Sequence, residues 1–164
     1  MPVMETPLAA RVRELLEAGG GEPLTDGRFL PLATLPSGAR VGLNAHAAWV
    51  HVPEDGAPAR VFKVDQAHTF YDVLESKRHD FDDEVESAAR AAGLPAEEVL
   101  FSFPAIPIIQ AVLQRSFPYL TRMALLWVRN TELRALRAEI LAVSQSTDMP
   151  TAIRDLATHL VVSE

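Results

Sequence analysis

Around Asp65 the spacing of apolar residues changes, from short alternating runs broken by turn signals to an almost unbroken amphipathic helix pattern. Alternation is the period of a pleated strand and recurrence every three to four residues is that of a helix. A chain with strands first and helices after is therefore expected to fold as α+β, with the helical part supplying most of the core. At 164 residues it is long enough to bury a core unaided and short for two independent domains. The expectation is one domain over residues 1–164, with a helix-plus-meander lobe at 1–64 and a helical lobe at 65–164.

The first helix is announced by Thr6-Pro7, an N-cap followed by a proline in the first turn. Leu8, Val12, Leu15 and Leu16 recur at helical spacing until Gly19-Gly20-Gly21. That glycine triplet lacks the Lys-Ser/Thr of a phosphate-binding loop and reads as a helix stop. Four strand-like runs follow at 28–35, 39–43, 47–52 and 59–64, separated by Pro36-Ser37-Gly38, Asn44-Ala45-His46 and Pro53-Glu54-Asp55-Gly56. Connections this short require an antiparallel meander. Pro31 cannot donate to a ladder, so the first run should be an edge or carry a bulge there.

Beyond Asp65, helices are expected at 65–76, 80–92, 105–115, 117–128, 131–144 and 149–161, the last four as an antiparallel array joined by short loops. Residues 123–128 are apolar on nearly every side, which predicts a central helix anchored by Trp127. The apolar run 101–113 reads as core. The dense segment 123–128 is far short of the roughly 20 residues of a membrane span. Residues 1–10 have no basic region ahead of an apolar one, so neither a membrane partner nor a signal peptide is expected.

The stretch Leu35-Pro36-Ser37-Gly38-Ala39-Arg40-Val41-Gly42-Leu43, continuing through Trp49-Val50-His51-Val52 to Thr69-Phe70-Tyr71-Asp72-Val73-Leu74, resembles the sheet and following helix of SMI1/KNR4-like (SUKH) domains. The resemblance covers about 40 residues, 35–74, and has no counterpart of the family's helix before the meander. It implies a bacterial immunity or adaptor protein that works by binding another protein. Near the C-terminus, Ile153-Arg154-Asp155-Leu156-Ala157-Thr158-His159-Leu160 resembles the second helix of a HEAT repeat. Leu120-Thr121-Arg122-Met123-Ala124-Leu125-Leu126-Trp127 echoes it in a different register.

With no cysteine, disulfides, thiolate nucleophiles and cysteine-held zinc or iron–sulfur clusters are excluded, and a reducing cytoplasmic setting is compatible. Lysine occurs only at Lys63 and Lys77; with abundant alanine, this arginine bias points to a GC-rich bacterial genome. The net charge is −7. Residues 77–100 hold seven acids against three bases, while 101–164 holds five against six. Arg115, Arg122 and Arg129 thus lie in a nearly neutral segment, where nucleic-acid binding would need a basic stripe.

The densest polar cluster is Asp80, Asp82, Asp83, Glu84 and Glu86, with Asp72 ahead of it. Acids at a helix start are favoured by its exposed N–H groups. The same acids offer a docking surface to a basic protein partner, and this is the expected site. The alternative is a small metal-dependent or acid/base enzyme in which His79, Asp82 and Asp83 hold a metal, helped by Asp65, His68 and Tyr71. In one continuous strand His46 and His51 would face opposite sides and could not share a metal. His159, four residues after Asp155, suits a surface ion pair. No serine sits in a nucleophile elbow, and no cofactor motif appears. Non-catalytic protein binding is the expected function, with self-association through an uncovered helix stripe left open.

Overall fold

The computed structural model describes residues 5–162. The fold is α+β: a helix, a five-stranded antiparallel sheet, then helices. Helix α1 spans Pro7–Glu17. Strands β1 (Glu22–Leu24), β2 (Gly27–Thr34), β3 (Arg40–Asn44), β4 (Trp49–Val52) and β5 (Arg60–Val61) pair in chain order as a meander. A 3-10 segment, Val64–Glu75, is bent at Gln66. Helices α2 (Arg78–Ala91), α3 (Ala96–Ser102), α4 (Ala105–Leu113), α5 (Pro118–Trp127), α6 (Leu133–Ser144) and α7 (Thr151–Val162) complete the described chain.

Two elements depart from the sequence expectation. There are five strands, not four, because Glu22–Leu24 pairs with Gly27–Phe29 across a tight turn. Helix α3 was hidden by the apolar run that follows it. Ala96–Leu113 is also a longer apolar stretch than 123–128, and by length and composition it could cross a membrane. Here it is folded as two helices, broken where Phe103 turns extended ahead of Pro104.

By contacts the chain forms two compact units. One comprises the described residues up to Lys63 together with His79–Phe103; the other comprises Val64–Arg78 and the described residues from Pro104 on.

In the first unit, Thr6 caps α1 by accepting the Ala9 N–H at 3.1 Å, as its sequence position requires. The other end of α1 is held by Arg28, whose guanidinium donates to the carbonyls of Gly19, Gly20 and Gly21, each at 3.0 Å. These carbonyls belong to the loop just beyond the helix, and a cation is favoured near a helix C-terminus. Val12 and Leu16 are buried, and α1 packs on β2 and β3. β2 carries its irregularity between Pro31 and Ala33, where proline cannot complete the ladder.

Gly42 on β3 faces Pro31, and a Cβ there would lie against the Leu30 carbonyl, well inside van der Waals contact. Backbone cannot swing aside as a side chain can. Gly42→Ala is expected to lower stability by about 2–3 kcal/mol, read as a fall in urea midpoint at unchanged slope. On the sheet, Trp49 meets Phe103 edge-on at 4.8 Å between ring centres, and Phe103 meets Phe81 of α2 at the same spacing. The Glu84 carboxylate of α2 accepts the Thr34 N–H of β2 at 2.8 Å.

In the second unit apolar residues at helical spacing form the interior. Ile109, Val112 and Leu113 of α4 are buried, as are Leu133, Leu136, Ile140 and Val143 of α6 and Ile153 and Ala157 of α7. Trp127 is 2% exposed. Its helix is not covered all round, however, because Leu126 is 53% exposed. Thr121, on the inner face of α5, is fully buried and its hydroxyl has no hydrogen-bond partner. A buried hydroxyl without a partner is a cost that valine, of the same shape, avoids. Thr121→Val is expected to stabilise the protein by about 1 kcal/mol, measured by urea denaturation.

Candidate functional site

Helix α2 buries Phe81, Val85 and Ala89, spaced four apart, and this stripe forces the intervening acids outward. Asp80, Asp83 and Glu84 are exposed, while Asp82 and Glu86 are half-buried. His79 lies 3.2 Å from Asp83 and Arg90 lies 2.5 Å from Glu86, both pairs one helical turn apart. Exposed pairs of this kind add only a few tenths of a kcal/mol. Glu84 has a structural duty through Thr34. Asp72 belongs to the 3-10 segment of the other unit. Among the described residues no three His, Cys, Asp or Glu side chains are placed to share a metal ion.

The second unit has a polar cleft of about 270 Å³. The 3-10 segment brings Asp65, His68 and Tyr71 to it, and the end of α4 adds Gln114 and Arg115. The rings of His68 and Tyr71 meet edge-on at 6.5 Å. Three residues of the sequence-based alternative therefore do share a wall. His79 belongs to the other unit.

A third place, in the first unit, was not foreseen from the sequence. A largely apolar cleft of about 650 Å³ lies between Leu8 of α1, the β3–β4 turn at His46 and Ala47, and the outer side of α3. Phe101, on its rim, is 93% exposed, contrary to the core role expected of the 101–113 run. The reason is helical geometry: Val99 is fully buried on α3, and two residues further on the side chain points to the opposite side. Ser102 fixes the helix end by donating to the Val99 carbonyl at 2.7 Å while accepting the Trp49 indole N–H at 3.0 Å. Glu97 and Glu98 stand exposed on the same cleft.

The opposite wall is strained. Ala47 has φ +57°, a left-handed conformation that costs an ordinary residue about 1–2 kcal/mol. Asn44 holds it there: its side-chain oxygen accepts the N–H groups of His46 (2.9 Å) and Ala48 (3.0 Å), and its carbonyl accepts that of Ala47 (2.9 Å). His46 lies in the turn between β3 and β4, as its place between two strand-like runs predicts, while His51 is buried on β4. At the start of α1, Glu5 is held below the ordinary carboxylate range chiefly by its hydrogen bond from Arg13; partial loss of hydration opposes this, and the charges of Arg13 and His46 add to it.

The cleft could have been found in part from the sequence, by taking Val99 as the buried point of a separate short helix and asking where Phe101 then faces. The distant turn that completes it leaves no local signal. No protein-family model, curated protein or solved structure matches the chain.

Proposed function

We propose that the chain is a non-catalytic protein-binding module of the bacterial cytoplasm, an immunity or adaptor protein whose partner is basic. One observation carries this reading: α2 buries Phe81, Val85 and Ala89 and α3 buries Val99, so that Asp80, Asp83, Glu97 and Glu98 face solvent within one unit. Carboxylates of one sign on one unit raise the rate at which a positively charged surface arrives. The likeness of residues 35–74 to SUKH domains points the same way, since those act by binding proteins.

The test begins with a stoichiometric partner purified from the host. Reversing Asp80 and Asp83 to lysine spares Glu84 and its bond to Thr34. The association rate is expected to fall on the order of tenfold at low salt. The difference should vanish near 1 M salt, where charges are screened beyond about 3 Å. An unchanged rate at low salt would reject this surface.

A second reading has its own observation, the polar cleft around His68 and Tyr71. A histidine, a phenol and a carboxylate beside an arginine could serve acid/base chemistry or a metal. Elemental analysis and titration with divalent metals decide it: stoichiometric metal that is lost in His68→Ala would favour an enzyme over a binding module.

A further inference from the structure

We infer that the cleft beside Phe101 is the anchoring point for the partner, and that it takes an apolar side chain flanked by lysine or arginine. This inference rests on the binding-module reading and adds to it the place and chemistry of the contact.

Two independent features meet there. A phenylalanine left almost wholly in water is a cost that folding did not remove, although Phe81 and Phe103 of the same unit are buried. Large exposed aromatic surface beside a concave apolar wall is what a protein partner covers, and aromatic side chains dominate the energetics of such contacts. The far wall holds Ala47 in a left-handed backbone, and conformations of that cost collect where loops are shaped for contact.

Charge selects the occupant. The apolar wall made by Leu8, Ala47 and Phe101 has Glu97 and Glu98 at its edge, and among the described residues the only other ionisable side chain lining it is His46. A purely apolar segment would strip water from two carboxylates without replacing their hydrogen bonds, and an acidic one would be repelled. A segment that offers an apolar residue next to cations satisfies both parts of the cleft.

The experiment titrates the full-length ¹⁵N-labelled protein with three peptides: Lys-Lys-Leu-Lys-Lys, Lys-Lys-Ala-Lys-Lys and Glu-Glu-Leu-Glu-Glu. The leucine–lysine peptide should shift the amide signals of Ala47, Phe101 and Ser102. The other two should bind at least tenfold more weakly. Phe101→Ser should lose the binding with the remaining spectrum intact, Phe101→Leu should retain most of it, and Glu97→Gln with Glu98→Gln should weaken it several-fold. Equal binding of the leucine and alanine peptides, or shifts confined to α2, would overturn the anchor while leaving the acidic surface as a docking face. Absence of any shift overturns it as well. The broader reading would then stand or fall on the purified partner and its response to reversal of Asp80 and Asp83.

Discussion

Trp127→Ala is expected to lower stability by about 3–5 kcal/mol, a large part of the roughly 5–15 kcal/mol that holds a domain folded. The indole is buried, and its N–H donates to the Ser76 carbonyl at 2.7 Å. The Arg78 guanidinium lies 4.8 Å from the ring centre and donates to the Trp127 carbonyl at 2.8 Å. Truncation therefore removes a large apolar volume, strips an acceptor of its partner and takes the aromatic face from a half-buried cation. Trp127→Phe keeps a ring but loses the N–H, and its cost should be about 1–2 kcal/mol. Urea denaturation followed by circular dichroism measures both. A midpoint for Trp127→Ala equal to that of the parent would show that the indole is not the anchor of its unit.

Glu132→Ala should cost about as much, roughly 3–5 kcal/mol, for an electrostatic reason. Glu132 is buried, and its two carboxylate oxygens accept from the two terminal nitrogens of Arg78 at 3.0 and 3.1 Å. It also accepts the Arg129 backbone N–H at 2.9 Å, at the start of the turn that leads into α6. The Arg129 guanidinium is held below its ordinary value first by burial and then by the charge of Arg78, with Glu132 pulling the other way. Without the carboxylate, the Arg78 guanidinium, on a side chain only 14% exposed, loses both of its bonds to Glu132. Replacing the pair together, Arg78→Met with Glu132→Leu, should recover more than half of the loss, because no charge then remains to be compensated. Recovery is incomplete, since Arg78 also serves Trp127. A single Glu132→Ala variant as stable as the parent would contradict this placement of charge.

Much of the fold was legible because its signals are local. Thr6-Pro7 and the glycine triplet bracket α1, the turns at 36–38 and 53–56 separate strands, and Pro31 marks the irregularity in β2. The buried stripes of α4, α6 and α7 follow directly from helical spacing. What was missed depends on contacts that local pattern does not record. β1 is three residues long and exists through its pairing with Gly27–Phe29. The sequence of α3 runs on into apolar residues that predict one interior segment, whereas the break at Phe103 puts Phe101 on the far side of a separate helix. Leu126 sits among apolar neighbours that predict a covered helix, yet Ala124, Leu125 and Trp127 are buried while it faces out.

The candidate site divides the same way. The acids of α2 were visible as a run, and their outward placement follows from Phe81, Val85 and Ala89. Glu84 looked interchangeable with its neighbours, although it is tied to Thr34, 50 positions away. The apolar cleft joins α1, the turn at Ala47 and α3, three segments distant in sequence. No spacing rule links them.

The central claim is that the acidic unit is a docking surface for a basic protein, and site-specific photocrosslinking in the native host tests it most directly. A photoreactive amino acid in place of Asp83, and separately of Phe101, is expected to capture one and the same basic protein, with yield falling as salt is raised. Capture of no defined protein from either position, while a probe at Tyr71 becomes protected by a small molecule, would contradict it.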